Sequence, residues 1–362
     1  MSQISYEQKQ KAVARWLLAG VAIIIVQILL GGITRLTGSG LSITEWKPIM
    51  GVLPPLSEND WQIAFDKYKQ IAQFKYLNSH FTLSDFKQIF MWEWLHREWA
   101  RVVLSFVFII GFVYFFVKNY FDKKMVFPFV ILFILGGLQG AIGWIMVKSG
   151  LNDTDLYVSH IRLAVHFIAA LVLLCYTLWF ALMLLIPERR KTANKRFFWF
   201  TVIVIALLGI QLTYGAFMAG LKAATAAPTW PSVNAQWFPG DFHSYGNRTY
   251  SGLTQYLSHP IAVHFMHRTF AYLLTGLIIA WFFVAGKYAR KGSLLEGARK
   301  WPLLLVILQV LLGIFTVLNA TNTIAGHFGT FEYLAEAHQL VAMFLLVAMV
   351  VNLYGVRPKT NA

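Results

Sequence analysis

The sequence predicts an all-α polytopic membrane protein, with eight transmembrane helices forming two pseudo-symmetric four-helix bundles. Three observations carry this reading. Of 362 residues, 57% are hydrophobic and only 13% are charged, where a soluble domain carries about 25% charge. Several apolar runs reach the roughly 20 residues that cross hydrocarbon as a helix. The chain also repeats itself at about half its length, as duplicated membrane bundles do. Long unbroken runs without alternation argue against a closed β-barrel, the other way to satisfy a backbone in lipid.

Taken in order, the helices are expected near 13–35, 90–117, 126–147, 159–185, 197–220, 260–286, 301–319 and 334–355. Met1 to Ala14 is polar, and no small-residue cleavage site follows the first apolar run. That run is therefore read as a retained helix rather than a signal peptide. Basic residues collect on one side under this count: Lys9, Lys11 and Arg15; Lys118, Lys123 and Lys124; Arg189 to Arg196; Lys287 to Lys300; Arg357 and Lys359. The positive-inside rule then puts both termini in the cytoplasm. The formal charge of +15 is explained by this loop bias and implies no nucleic-acid partner. The long outer segments, 36–89 and 221–259, are expected to carry short amphipathic helices, since Trp61, Phe65, Tyr68 and Ala72 share a helical face. The single cysteine, Cys175, excludes an internal disulfide and a cysteine-based metal cluster.

Four ordered matches define the repeat. Gln27 to Gly31 matches Gln211 to Gly215, with Trp46 against Trp230; Leu95-His96-Arg97 matches Met266-His267-Arg268; Gln139 and Gly143 match Gln309 and Gly313; His166 matches His338. The halves are drawn at 1–190 and 191–362.

Ten histidines are present: His80, His96, His160, His166, His243, His259, His264, His267, His327 and His338. His80, His243, His259 and His327 read as ordinary polar contacts in or beside outer loops. His96, His166, His267 and His338 fall on the second and fourth helix of each half, near the outer end. At equal depth, each pair can bind one heme iron from both sides. Interhelical hydrogen bonding is the bland alternative, and zinc is disfavoured because no close-spaced ligand motif occurs. His264 competes with His267 and His160 with His166; the repeat favours His267 and His166, because His264 aligns with Glu93. An ionisable residue inside a membrane helix is costly and marks a functional position. Glu93 is accordingly the candidate catalytic carboxylate, as a base or as a stabiliser of positive charge. The bland reading is a carboxylate that orients His96 or pairs with Arg97. Its replacement by His264 in the second half points to chemistry in one half and electron transfer in the other. Arg35, Arg97, Arg101, Lys148, Arg162 and Arg268 are cations at the level of heme propionates, though snorkelling explains any one of them equally well.

Residues 31–42 (Gly31 to Ser42), Glu45-Trp46-Lys47-Pro48, Glu93-Trp94-Leu95-His96-Arg97, Gln139 to Leu151, Val158 to His166, Phe265-Met266-His267-Arg268 and His338-Gln339 together resemble the heme A synthase family over nearly the whole chain. The resemblance implies oxidation of a methyl of heme O to the formyl of heme A, through a hydroxymethyl intermediate and with oxygen from water. It implies a heme b cofactor between His267 and His338, substrate heme O facing His96 and His166, and catalysis involving Glu93. It also implies the plasma (inner) membrane, a heme O synthase as supplier, an unnamed electron acceptor and compatibility with a homo-oligomer. The chain lacks the outer-loop cysteine pair of one branch, so it resembles the cysteine-free branch. Ala226-Ala227-Pro228-Thr229-Trp230-Pro231 departs from the family, which usually has Asn before Thr-Trp-Pro. A diheme electron-transfer protein and a heme transporter or chaperone are the competing readings, separated by whether heme O is converted.

Overall fold

The computed structural model describes residues 5–45, 53–322 and 328–358. Trp46, Lys47, Pro48, His327 and Lys359, used above, lie outside the described residues. Among the described residues, eight helices are long and apolar enough to cross a membrane: α1 Tyr6–Leu36, α2 Leu83–Val117, α3 Lys123–Lys148, α4 His160–Leu185, α5 Lys195–Gly220, α6 Pro260–Tyr288, α7 Leu294–Leu318 and α8 Thr330–Tyr354. The protein is thus a multi-pass membrane protein. The chain forms two compact units, one of residues 18–174, the other of residues 175–322 with the first turns of α1 and with α8 from Tyr333.

In the first of these units, α2 starts earlier than the apolar run implies. Thr82 and Asp85 form a reciprocal capping box there, satisfying backbone donors that otherwise have no partner. The added polar turns pack against an outer-loop helix, Glu58–Tyr68, which has its own Ser57/Asp60 capping box. Phe86 is fully buried between them. Its ring lies 5.0 Å from Phe65, 5.4 Å from Tyr68 and 5.7 Å from Phe90. The Tyr68 hydroxyl donates to Gln73 at 2.9 Å and accepts from Asn78 at 2.7 Å; burial pushes its phenol up to about 12, so it serves as a neutral donor. The loop between α3 and α4 joins this cluster through Ala72 N–H to the Asn152 carbonyl at 3.0 Å.

Further along, α2 loosens into a π-turn, Trp99–Leu104, a departure that often accompanies functional sites. Trp99 Nε1 donates to the Ile23 carbonyl of α1 at 3.0 Å. Arg101 pairs with the buried Glu98 carboxylate. Beyond it, Phe106, Ile109, Ile110, Val113 and Phe116 are exposed, as lipid-facing side chains should be.

In the other unit, Asn194 caps α5 by accepting from the Phe197 N–H at 2.9 Å. Trp281 of α6 is fully buried. It stacks on Phe197 at 5.7 Å and donates Nε1–H to Thr201 at 2.9 Å. A short parallel pairing of Thr192–Ala193 with Val356–Arg357 joins the approach to α5 with the end of α8.

Truncating Phe86 to alanine removes the centre of the aromatic cluster. A loss of about 3–5 kcal/mol is expected, read as faster proteolysis of residues 53–82 in detergent-solubilised protein.

Candidate functional site

The four singled-out histidines lie on α2, α4, α6 and α8, as expected. His166, His267 and His338 come within the first turns of their helices. His96 sits further into α2, because that helix begins at Leu83 rather than near residue 90.

Each ring is held against the preceding long helix by a glutamine and a glycine. Gln27 Nε2 lies 3.1 Å from His96 Nδ1 and donates to the His96 carbonyl at 3.0 Å. Gln139 Nε2 lies 3.3 Å from His166 Nδ1 and donates to the His166 carbonyl at 3.2 Å. Gln211 Nε2 lies 3.1 Å from His267 Nδ1. The fourth ring is turned: His338 Nδ1 donates to the Gln309 main-chain carbonyl at 3.1 Å, and the Gln309 amide faces Nε2 at 3.2 Å. The same rings press on Gly31, Gly143, Gly215 and Gly313.

His267 and His338 have ring centroids 6.4 Å apart with planes at 77°. Two imidazoles bound on opposite sides of one metal, at about 2.0–2.1 Å per bond, place their centroids roughly 6 Å apart. Their spacing is that of two imidazoles on one iron, while His338 Nε2 faces the Gln309 amide. His96 and His166 are close enough to interact electrostatically. Among the described residues, no group of three or more His, Cys, Asp or Glu gathers to hold a metal. Two imidazoles per site suit an iron that brings its own four equatorial nitrogens, as porphyrin does.

Glu93 is buried, and both carboxylate oxygens are engaged. Oε1 accepts from Arg97; Oε2 accepts from Ser42 Oγ at 2.7 Å and from the Ile43 N–H at 2.8 Å. Arg97 also donates to the Ile43 carbonyl at 3.1 Å. The carboxylate thus pairs with Arg97 and fastens the start of the outer loop. At the matching place on α6, Arg268 Nε donates to His264 Nε2 at 3.0 Å. Arg268 also donates to the carbonyls of Ser232 at 2.9 Å, Ala227 at 3.3 Å and Thr229. His264 is thereby committed to Arg268 and to this loop. The departure at residues 226–231 leaves the loop anchored through main-chain carbonyls, which any residue supplies.

Three further histidines, His259, His243 and His80, have ordinary work. His259 caps α6, with Nδ1 accepting from the Ala262 N–H at 3.3 Å and Nε2 facing the Ser244 carbonyl at 3.0 Å. His243 contacts Gln255 at 2.9 Å, and His80 packs on Phe81. Arg162 donates to the Ile145 carbonyl at 3.0 Å. It lines a cavity of about 620 Å³ with Ile145, Lys148, Ser149, Asn152, Asp155 and Ser159, one helical turn before His166. The glutamines were visible in the sequence only as marks of the repeat. Their spacing from glycine at 27/31, 139/143, 211/215 and 309/313 was the available signal of a role beside the histidines.

A family model described as cytochrome oxidase assembly protein matches residues 14–350. The heme A synthase of Flavobacterium johnsoniae is 37% identical over 352 residues, covering 96% of this chain and 98% of that protein. The heme A synthase of Rhizorhabdus wittichii is 38% identical over 358 residues, covering 98% and 96%. That of Sphingopyxis alaskensis is 39% identical over 345 residues, covering 95% and 91%. With eight membrane helices, paired imidazoles and similarity along nearly its whole length, this chain belongs to the cytochrome oxidase assembly protein family.

Proposed function

We propose that the chain is a heme A synthase, oxidising a methyl group of heme O to the formyl group of heme A. The observation that carries this reading is end-to-end similarity to proteins named heme A synthase. His96 and His166 hold the substrate heme, and His267 and His338 hold heme b. The two pairs belong to two pseudo-symmetric bundles, drawn at 1–190 and 191–362, in a plasma (inner) membrane with both termini cytoplasmic. A heme O synthase supplies the substrate, and the electron acceptor is a separate redox partner.

The overall change is stoichiometric. Converting methyl to hydroxymethyl consumes one water and releases two electrons and two protons. Converting hydroxymethyl to formyl releases two more of each. Heme b, when bound, supplies one-electron redox chemistry. The chain's own residues position and stabilise. His96 and His166 fix the substrate ring from both faces. Glu93 is one turn from His96, and its carboxylate is held by three donors. A fixed negative charge of this kind suits the stabilisation of positive charge developing at the oxidised carbon. Lys148 and Arg162 offer cations for a propionate beside His166.

Glu93→Gln should leave heme binding in place while lowering conversion about 10²-fold. The check is extraction of pigments from cells that also make heme O. Unaltered conversion would remove Glu93 from the chemistry. If the unsubstituted protein left heme O unchanged, the diheme electron-transfer reading would take over. His267→Ala and His338→Ala should each abolish the heme b absorption of the purified protein; normal absorption in either would break that ligand pair.

A further inference from the structure

We propose that Gln27, Gln139, Gln211 and Gln309 are positioning residues. Each, with the glycine one turn further along its helix, sets the rotation and seating of one axial imidazole. This rests on the reading of the four histidines as heme ligands.

The arrangement occurs four times, on α1, α3, α5 and α7, against α2, α4, α6 and α8. The glutamine and histidine are separated by 69, 27, 56 and 29 residues. Connectivity therefore does not dictate the contact. Packing alone does not explain it either. Each glutamine Oε1 is buried and has no hydrogen-bond partner among the described residues. Leaving such an oxygen unpaired is destabilising, and leucine at these positions would avoid that cost. What the amide supplies is contact with the histidine beside it: Nε2 faces a ring nitrogen in all four, and at Gln27 and Gln139 it also donates to the histidine carbonyl.

The use of that contact follows from imidazole chemistry. A ring that binds iron through Nε2 keeps its proton on Nδ1, and the partner of that proton fixes the tautomer and rotation. A half-turn of the amide about its last torsion exchanges oxygen for nitrogen. At Gln211 it brings the unpaired Oε1 to the Nδ1 side of the His267 ring; at Gln27 and Gln139 the amide instead holds the histidine through its main-chain carbonyl, a bond the same half-turn would break. In the fourth, the Gln309 main-chain carbonyl already takes the Nδ1 proton.

The glycines set the distance. A Cβ would lie 3.0 Å from His96 Cε1 at Gly31, 2.8 Å from His166 Cε1 at Gly143 and 2.9 Å from His338 Cε1 at Gly313, but 3.4 Å from His267 Cε1 at Gly215. Two of the four rings, His166 and His338, could not keep their seat above alanine, and His96 would have to give by a few tenths of an ångström.

The test uses full-length purified protein carrying heme b, read by low-spin electron paramagnetic resonance and by midpoint potential, with no turnover. Gln211→Ala should retain heme, shift the g-values and raise the potential, because the ligand loses an acceptor that increases its basicity. Gln211→Glu, which can only accept, should keep the low-spin signal and lower the potential below that of the unsubstituted protein. Gln309→Ala should shift both less than Gln211→Ala, since the main-chain carbonyl remains. Gly313→Ala should lose the low-spin signal, while Gly215→Ala keeps it. Unchanged g-values and potential in both Gln211 variants, or equal effects of the two glycine substitutions, would overturn the inference while leaving the ligands intact. An unsubstituted protein with no bis-imidazole signal would overturn the ligand reading, and this inference with it.

Discussion

The constraint on which this structure depends is that a polar side chain in hydrocarbon must find its partner inside the protein. Water is not available, and a charged group at the bilayer centre costs about 2.5–3.5 kcal/mol even on permissive scales. The long helices therefore show their polar residues to one another. Histidine meets glutamine on the neighbouring helix, Glu93 meets Arg97, and Arg101 meets Glu98. The apolar remainder is left to face lipid, as on the second half of α2.

The same economy organises the outer side. An arginine four residues after Glu93 or His264 reaches from a membrane helix to loop carbonyls, Ile43 in one case and Ser232, Ala227 and Thr229 in the other. An i,i+4 pair faces one way on a helix, so each loop is fastened directly over the turn that precedes its histidine. The two clamps differ in charge. One buries a carboxylate and the other a neutral ring, which gives otherwise similar frameworks different electrostatics near their ligands. That difference is the basis for assigning chemistry to one site and electron transfer to the other.

Much of this was legible in the residues. All eight helices follow from hydropathy, and the outer helix at 58–68 follows from the shared face of Trp61, Phe65 and Tyr68, although it ends before Ala72, which was expected on the same face. The four histidines stand out because each returns at a matching place in the repeat. Three features were not legible. The start of α2 was hidden, because Leu83 to Trp92 earns its helix from a capping box and from packing on the outer loop rather than from membrane hydropathy. The π-turn at Trp99–Leu104 leaves no mark in an apolar run. Gln27, Gln139, Gln211 and Gln309 looked like repeat markers, since a glutamine's partner on another helix cannot be read from spacing along one chain. Glu93 was read two ways. Its ties to Arg97, Ser42 and Ile43 account for its burial and leave its catalytic part to experiment.

The central claim is that imidazole pairs, seated by the neighbouring helices, each clasp one porphyrin iron. Near-infrared magnetic circular dichroism of the oxidised protein tests it most directly, because the energy of the charge-transfer band identifies the two axial ligands. The account predicts a bis-imidazole band equivalent to one heme per chain when heme O is withheld, and to two when it is supplied. A band belonging to any other ligand pair, or a total that stays at one heme after heme O is added, would contradict it.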